Sequence, residues 1–233
     1  MKKVVLSLAI VILSTAAFAQ KTKVVIETSM GRIVAILYDN TPKHRDNFIK
    51  LANEHFFDSL LFHRVIPQFM IQGGDPQSKH AHAGEMLGNG EHGDRIPAEF
   101  NDSDFHKRGA LAMARDNNPE KASSGCQFYI VTGKVWADAD LNNIEAQTGH
   151  KFSASQREAY KTIGGTPHLD GSYTVFGEVV EGMDVADKIA MAARDQFDRP
   201  KQDIRMISVR VVNEGKNKSN HSKKKKHKFL GIF

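Results

Sequence analysis

The chain has 233 residues, enough for one domain with a sizeable core, and its single cysteine, Cys126, excludes an intrachain disulfide. Its formal net charge of +5 is concentrated at the two ends: without Lys2, Lys3 and the seven lysines after Gly215, residues 20–214 carry −4. A nucleic-acid surface spread over the folded body is therefore not supported, and no specific nucleic-acid partner is expected.

Lys2 and Lys3 form a basic start, Val4 to Ala17 an apolar run, and Ala17-Phe18-Ala19 a small-x-small cleavage site. The run is shorter than the ~20 residues a membrane span needs. Residues 1–19 are therefore read as a signal peptide. Gln20, not cysteine, follows the cut, which argues against a lipoprotein. The expected location is the periplasm, with secretion or peripheral surface association as the alternative.

Val24–Thr28 and Arg32–Tyr38 are rich in β-formers, and Ser29-Met30-Gly31 supplies a hairpin turn. Thr41-Pro42 opens a helix, with Thr41 as N-cap and an apolar stripe of Phe48, Leu51 and Ala52. Leu61 to Gln72 reads as one strand interrupted at Pro67. Period-two alternation puts Phe62 with Arg64 on one face, Met70 with Gln72, and Gln127 with Tyr129. Residues 73–109 read mostly as loop. Leu111–Ala114, Gln127–Thr132, Tyr173–Val180 and Ile204–Val212 are further strands, the last with Ile207, Val209 and Val211 alternating against Met206, Ser208 and Arg210. Asp184 to Ala193 is helical.

Between these strands, about residues 136–165, lies a helical hairpin. Leu141 and Ile144 mark a first helix ending at Gly149. Ser153 and Gln156 form a capping box for a second, with Ala159, Tyr160 and Ile163 as its apolar face and Gly164-Gly165 as its stop. The segment is either an inert elaboration or a partner-binding or substrate-gating element. After Gly215 the composition reads as a basic, disordered tail. Lys223 to Lys226, followed by Phe229, Leu230, Ile232 and Phe233, suit contact with an anionic surface. The domain is thus 20–214 and the tail 215–233. Many strands and few helices point to a closed or nearly closed antiparallel barrel.

The stretch Phe62 to Asp75 places one arginine among apolar residues, where an unpaired buried charge is expensive. If it faces Gln127 and Tyr129, the two strands line an apolar pocket rimmed by one guanidinium and two amides. That wall contains no nucleophile–base pair, carboxylate dyad or phosphate-cradling glycine loop. A reaction suited to it needs no proton transfer and no covalent intermediate, and rotation about a prolyl peptide bond is one. His80, His82 and His92 match no standard zinc spacing, so no metal is expected.

Phe62-His63-Arg64-Val65-Ile66-Pro67 with Phe69-Met70-Ile71-Gln72-Gly73-Gly74-Asp75 resembles the signature of the cyclophilins, a family of peptidyl-prolyl cis-trans isomerases. Gly109–Ala114, Ser124–Ile130 and Leu169–Gly177 resemble its later blocks, in the same order. The resemblance implies a mainly β fold, a closed eight-stranded antiparallel barrel capped by two helices, here with the inserted hairpin. It implies Arg64 as the catalytic arginine, with Gln72 beside it. Phe69, Met70, Tyr129 and Leu169 become the proline pocket, and Gln72 and Gln127 hold the substrate carbonyl and orient Arg64. His63 joins the substrate-binding set. Ala114 and the backbone of Arg115 pair with the residue before proline.

His168 stands where the family often has tryptophan, Tyr173 where it has a rim histidine, and Tyr129 where it has phenylalanine. Members without the tryptophan tend to bind cyclosporin poorly, so weak binding is expected. The implied substrates are proline-containing unfolded or loop segments of exported proteins, with no cofactor. The alternative is a binding module or holdase acting through the insert or tail. The insert precedes His168 directly, so it is expected to be able to overhang the pocket.

Overall fold

The computed structural model describes residues 21–212. The leader and the lysine tail lie outside the described residues. Eight strands form one antiparallel sheet: β1 Lys23–Thr28, β2 Gly31–Leu37, β3 Phe62–Ile66, β4 Met70–Gly73, β5 Ala110–Met113, β6 Phe128–Val131, β7 Val175–Glu181 and β8 Met206–Val212. Their order is β3-β4-β6-β5-β7-β2-β1-β8. Four helices accompany them, α1 Pro42–Asn53, α2 Asp138–Thr148, α3 Ala154–Thr162 and α4 Met183–Ala190. The expected strand from Leu61 to Gln72 is a hairpin, β3 and β4, because Pro67 and Gln68 (φ +59) turn the chain.

The sheet curls without a continuous ladder closing it. Its edges meet at one bridge, Leu61 to Arg205, flanked by Phe62 N–H to Ile204 O (2.9 Å) and Met206 N–H to Leu60 O (2.8 Å). Further along β3, Val65 N–H donates to Asp198 O at 2.9 Å instead. A loop thus occupies the edge that β8 would need for closure.

The inner face carries the main core, with Phe48, Phe57, Phe128 and Phe176 at its centre. Phe48 meets Phe128 edge-on at 5.2 Å and packs on Phe176 at 5.4 Å. Helix α1 turns Phe48, Leu51 and Ala52 into this core, as its stripe predicts. Its cap differs from expectation: the Thr41 hydroxyl makes no capping bond, and the Glu99 carboxylate accepts from Lys43 N–H (3.2 Å) and His44 N–H (3.1 Å). A remote anion does the work at the positive end of the helix.

Of the four register shifts in the sheet, two bear on strands whose alternation the sequence suggests. Phe62 pairs with Gly73 and Arg64 with Gln72, so His63 is an extra residue on β3. Phe62 enters the core while Arg64 stays 44% exposed in its side chain, so the two do not share a face. On β8, Thr28 pairs with Met206 and Glu27 with Ser208, which makes Ile207 the extra residue. Met206 and Val209 are fully buried, and Ile207 is 60% exposed.

The insert folds as a hairpin with its own small core of Leu141, Ile144, Phe152 and Tyr160, packed with Phe105 and Trp136. The capping box at Ser153 and Gln156 is formed, and Gly149 ends α2 in the left-handed region. Ile163 is 49% exposed and lies outside the buried face, because α3 ends at Thr162. Gly165 bridges to Lys107 and Lys134, where a side chain would strike the His106 carbonyl. Cys126 is a buried free thiol whose pKa burial pushes up to about 11, which keeps it protonated and unreactive.

Candidate active site

The outer face of β4, β5, β6 and the start of β7 forms a second apolar cluster of Met70, Ala110, Ala112, Tyr129, Val131 and Val175. Phe69, Ala114, Leu169 and Tyr173 pack against it. The small side chains Ala110 and Ala112 keep this wall low, while Leu111 and Met113 of the same strand point to the inner core. The result is a cavity of about 310 Å³ on the outside of the sheet.

Ten of the twelve sequence-predicted site residues line that cavity: His63, Arg64, Phe69, Met70, Gln72, Ala114, Arg115, Tyr129, Leu169 and Tyr173. Arg64 and Gln72 are cross-strand partners, side by side at its edge. The remaining two stand behind it. Gln127 accepts from Gln72 Nε2 (3.0 Å) and donates its own Nε2 to Gly88 O (3.0 Å) and Gly90 O (2.7 Å). Its amide is used in holding Gln72 and the neighbouring loop. His168 stacks on Phe69 at 5.6 Å and meets Trp136 edge-on at 6.2 Å. None of the lining residues comes from residues 136–165, so the insert does not overhang the cavity.

Arg115 crosses the Tyr173 ring at 4.8 Å and donates Nε to Ser172 O at 2.7 Å. This pins the side chain along the rim. The backbone of Ala114 is occupied, N–H to Gln127 O and O from Ser124 N–H, both at 2.8 Å. Among the described residues the backbone groups of Arg115 have no such partner.

The Gly73-Gly74-Asp75 turn is dictated by close approach. Gly74 has φ +95, and a Cβ there would strike the Cys126 carbonyl. Asp75 Oδ1 accepts from Gln77 N–H at 2.8 Å, and Oδ2 accepts from Gly88 N–H at 2.5 Å. One buried carboxylate thereby fastens residues 88–90 over the top of β4.

Sequence reasoning missed three parts of the site. One is the loop Glu85 to Asn89. The second is Asp195, Phe197 and Arg199, in a tight turn after α4. Asp198 of that turn lies 3.9 Å from Arg64 Nε, a long and partly exposed ion pair worth little by itself. The only sequence signal was an aromatic, Phe197, inside a charged turn. The third is a buried chain behind the pocket: Tyr129 Oη to His106 Nε2 (2.9 Å), His106 Nδ1 to Asp170 Oδ1 (2.7 Å), and Tyr160 O–H donating to Asp170 Oδ2 (2.6 Å). Burial raises the pKa of both phenols, so each stays protonated.

Burial also lowers the His63 pKa, to about 4, against the opposing pull of Asp75. Neither of its ring nitrogens makes a hydrogen bond of ordinary geometry, and the Leu61 backbone adds only a weak pull toward the charged form.

Known proteins share this architecture over most of the chain. Residues 23–211 match the family model described as cyclophilin type peptidyl-prolyl cis-trans isomerase/CLD. A provisionally named peptidyl-prolyl cis-trans isomerase of Staphylococcus saprophyticus is 34% identical over 201 residues, covering 86% of this chain and 96% of that protein. A Streptococcus pyogenes protein, provisionally named a bifunctional phosphatase/peptidyl-prolyl cis-trans isomerase, is 38% identical over 192 residues. That alignment covers 81% of this chain but only 38% of the longer relative. The crystal structure of a Cryptosporidium parvum cyclophilin-type isomerase shares the fold, with TM-score 0.63 and 22% identity over 84% of this chain and 99% of that one. The apolar outer-wall cavity, the arginine–glutamine pair at its edge and the match over 23–211 lead to one conclusion: this chain belongs to the cyclophilin-type peptidyl-prolyl cis-trans isomerases.

Proposed function

We propose that this protein accelerates cis-trans isomerisation of X-Pro bonds in unfolded or loop segments of exported proteins, with Arg64 as the catalytic group. The observation that carries the reading is the Arg64–Gln72 pair beside the apolar floor of Met70, Tyr129, Phe69 and Leu169. The barrier to rotation, ~18–20 kcal/mol, comes from amide resonance. An apolar pocket disfavours the charge-separated resonance form. A guanidinium that hydrogen-bonds the imide nitrogen as it pyramidalises stabilises the twisted state more than the planar one, which is the condition for catalysis. Gln72, held by Gln127, takes the substrate carbonyl, and the open backbone of Arg115 takes the residue before proline.

A protein solved in the presence of the dipeptide ala-pro has this fold, with TM-score 0.61 and 22% identity over 82% of this chain, and a proline peptide suits the cavity. His168, in place of the family's frequent tryptophan, favours weak cyclosporin binding. The leader favours a periplasmic site of action.

The test is proline-limited refolding, with rates measured for wild type and Arg64→Ala. Loss of one preorganised donor costs roughly 10²-fold or more in rate. Equal acceleration by both proteins removes Arg64 from the mechanism, and acceleration by neither leaves the binding-module alternative.

A further inference from the structure

The cavity continues past Arg64 into a feature that the proline reading does not use. Met86 and Phe197 are both large, apolar and more than half exposed (59% and 52%), yet both line the same cavity. They stand on separate segments, clasped by a buried residue. Arg199 donates Nη1 to Glu85 O, and its Nη2 reaches Asp203 Oδ1 at 3.3 Å.

The turn carrying Phe197 is rigid. Asp195 Oδ1 accepts from Phe197 N–H (2.8 Å) and Arg199 N–H (3.0 Å), Asp195 N–H donates to Arg199 O (2.9 Å), and Arg194 bridges to Pro200. Asp198 O anchors the turn to Val65 N–H on β3. These bonds fix the backbone of the turn and so place an exposed aromatic at the cavity edge.

Sheet order gives the direction. Ala114 follows β5, Tyr129 and Met70 lie on the adjacent β6 and β4, Arg64 lies on β3, and the Phe197 turn pairs outside β3. A chain whose residue before proline sits by Arg115, with its proline between Tyr129 and Met70, must leave across β3. About two strand spacings of ~4.8 Å separate proline from the turn, roughly two to three extended residues.

We propose that Met86 and Phe197 form a specificity subsite for a bulky apolar side chain at the second or third residue after the substrate proline. This rests on the isomerase reading above.

The test uses the full chain and Ala-based hexapeptides with one proline, placing Phe or Ala at the second or third position after it, or Phe before it. Isomerisation is followed by exchange NMR, and the reading is the Phe/Ala ratio of kcat/KM. Wild type is expected to prefer Phe after proline by about five-fold, the scale of half-burying one aromatic side chain. Phe197→Ala should bring the ratio to about one and Phe197→Tyr should restore it, with no such change for Phe before proline. A wild-type ratio of one, or a ratio that survives Phe197→Ala, overturns the subsite and leaves the isomerase reading standing. Failure of wild type to accelerate any peptide overturns both.

Discussion

Tyr129→Phe is the most informative single change, because it alters one atom at the back of the cavity. The Tyr129 hydroxyl meets His106 Nε2 at 2.9 Å, and the other ring nitrogen of His106 meets Asp170 at 2.7 Å. In the neutral imidazole, Nδ1–H donates to the carboxylate, so Nε2 accepts from the phenol. Removing the hydroxyl deletes one buried hydrogen bond and leaves Nε2 of a buried histidine without a donor. An unsatisfied buried acceptor costs about 1–3 kcal/mol. For a domain of this size a loss of about 2 kcal/mol lowers Tm by roughly 4–8 °C. Tyr160→Phe should cost at least as much, because its lost donor served the Asp170 carboxylate at 2.6 Å, and bonds to charged groups are stronger. The two changes share one network, so their effects should fail to add by at least ~0.5 kcal/mol in a double-mutant cycle. The assay is thermal unfolding for Tm and urea unfolding for free energies, on the four proteins at one pH. A Tyr129→Phe protein within 1 °C of wild type in Tm, or strict additivity of the pair, would refute the network.

Two further outcomes follow from burial and charge. Met206→Ala should cost about 2–5 kcal/mol and Ile207→Ala less than ~0.5, measured by urea midpoints, because the bulge turns Met206 inward and Ile207 outward; the opposite order would mean the register is one residue off. His63 has a folded pKa near 4 against an ordinary 6.5, chiefly from burial, with Asp75 opposing and Arg64 and Arg199 adding to the depression. A depressed folded pKa means that the unfolded chain binds the proton first. The stability is therefore fully present above pH 6.5 and is lost as pH falls from about 6.5 to about 4, by up to roughly 3 kcal/mol. His63→Gln should flatten that part of the wild-type profile of unfolding free energy against pH; a slope unchanged by the substitution would remove His63 as its source.

Elements with strong local signals were legible. The stripe of Phe48, Leu51 and Ala52, the Ser153–Gln156 capping box and the Gly149 stop all depend on neighbours within one or two turns, and each is found where the sequence puts it. Part of the cavity wall was legible for a different reason: Met70, Gln72 and Tyr129 alternate strictly on β4 and β6, whose pairing is free of bulges, whereas Ala114, Arg115, Leu169 and Tyr173 came only from the family resemblance. What alternation could not give is where it fails. His63 and Ile207 each add one residue against a partner strand, and nothing local marks either position. A bulge is a property of two strands, so a reading of one strand carries Phe62 and Arg64 to the same side. Thr41 shows the same limit: its type suits an N-cap, but Glu99, far along the chain, takes the amides first.

The bulge at His63 has consequences for the chemistry as well as for the register. With strict alternation from Phe62, turning the phenylalanine into the core would turn Arg64 inward too, and a buried unpaired guanidinium is expensive. One extra residue resolves the conflict. Phe62 and Val65 both reach the core, while His63 and Arg64 both line the outer cavity, with Arg64 beside Gln72. Arg64 stays 44% exposed in its side chain beside the apolar cluster, the setting that the proposed mechanism asks for. The extra residue also carries the unpartnered imidazole. The same local irregularity thus sets both the proposed catalytic cation and His63 on the cavity that Phe197 also lines, so the proposed reaction and the proposed subsite depend on one feature of β3.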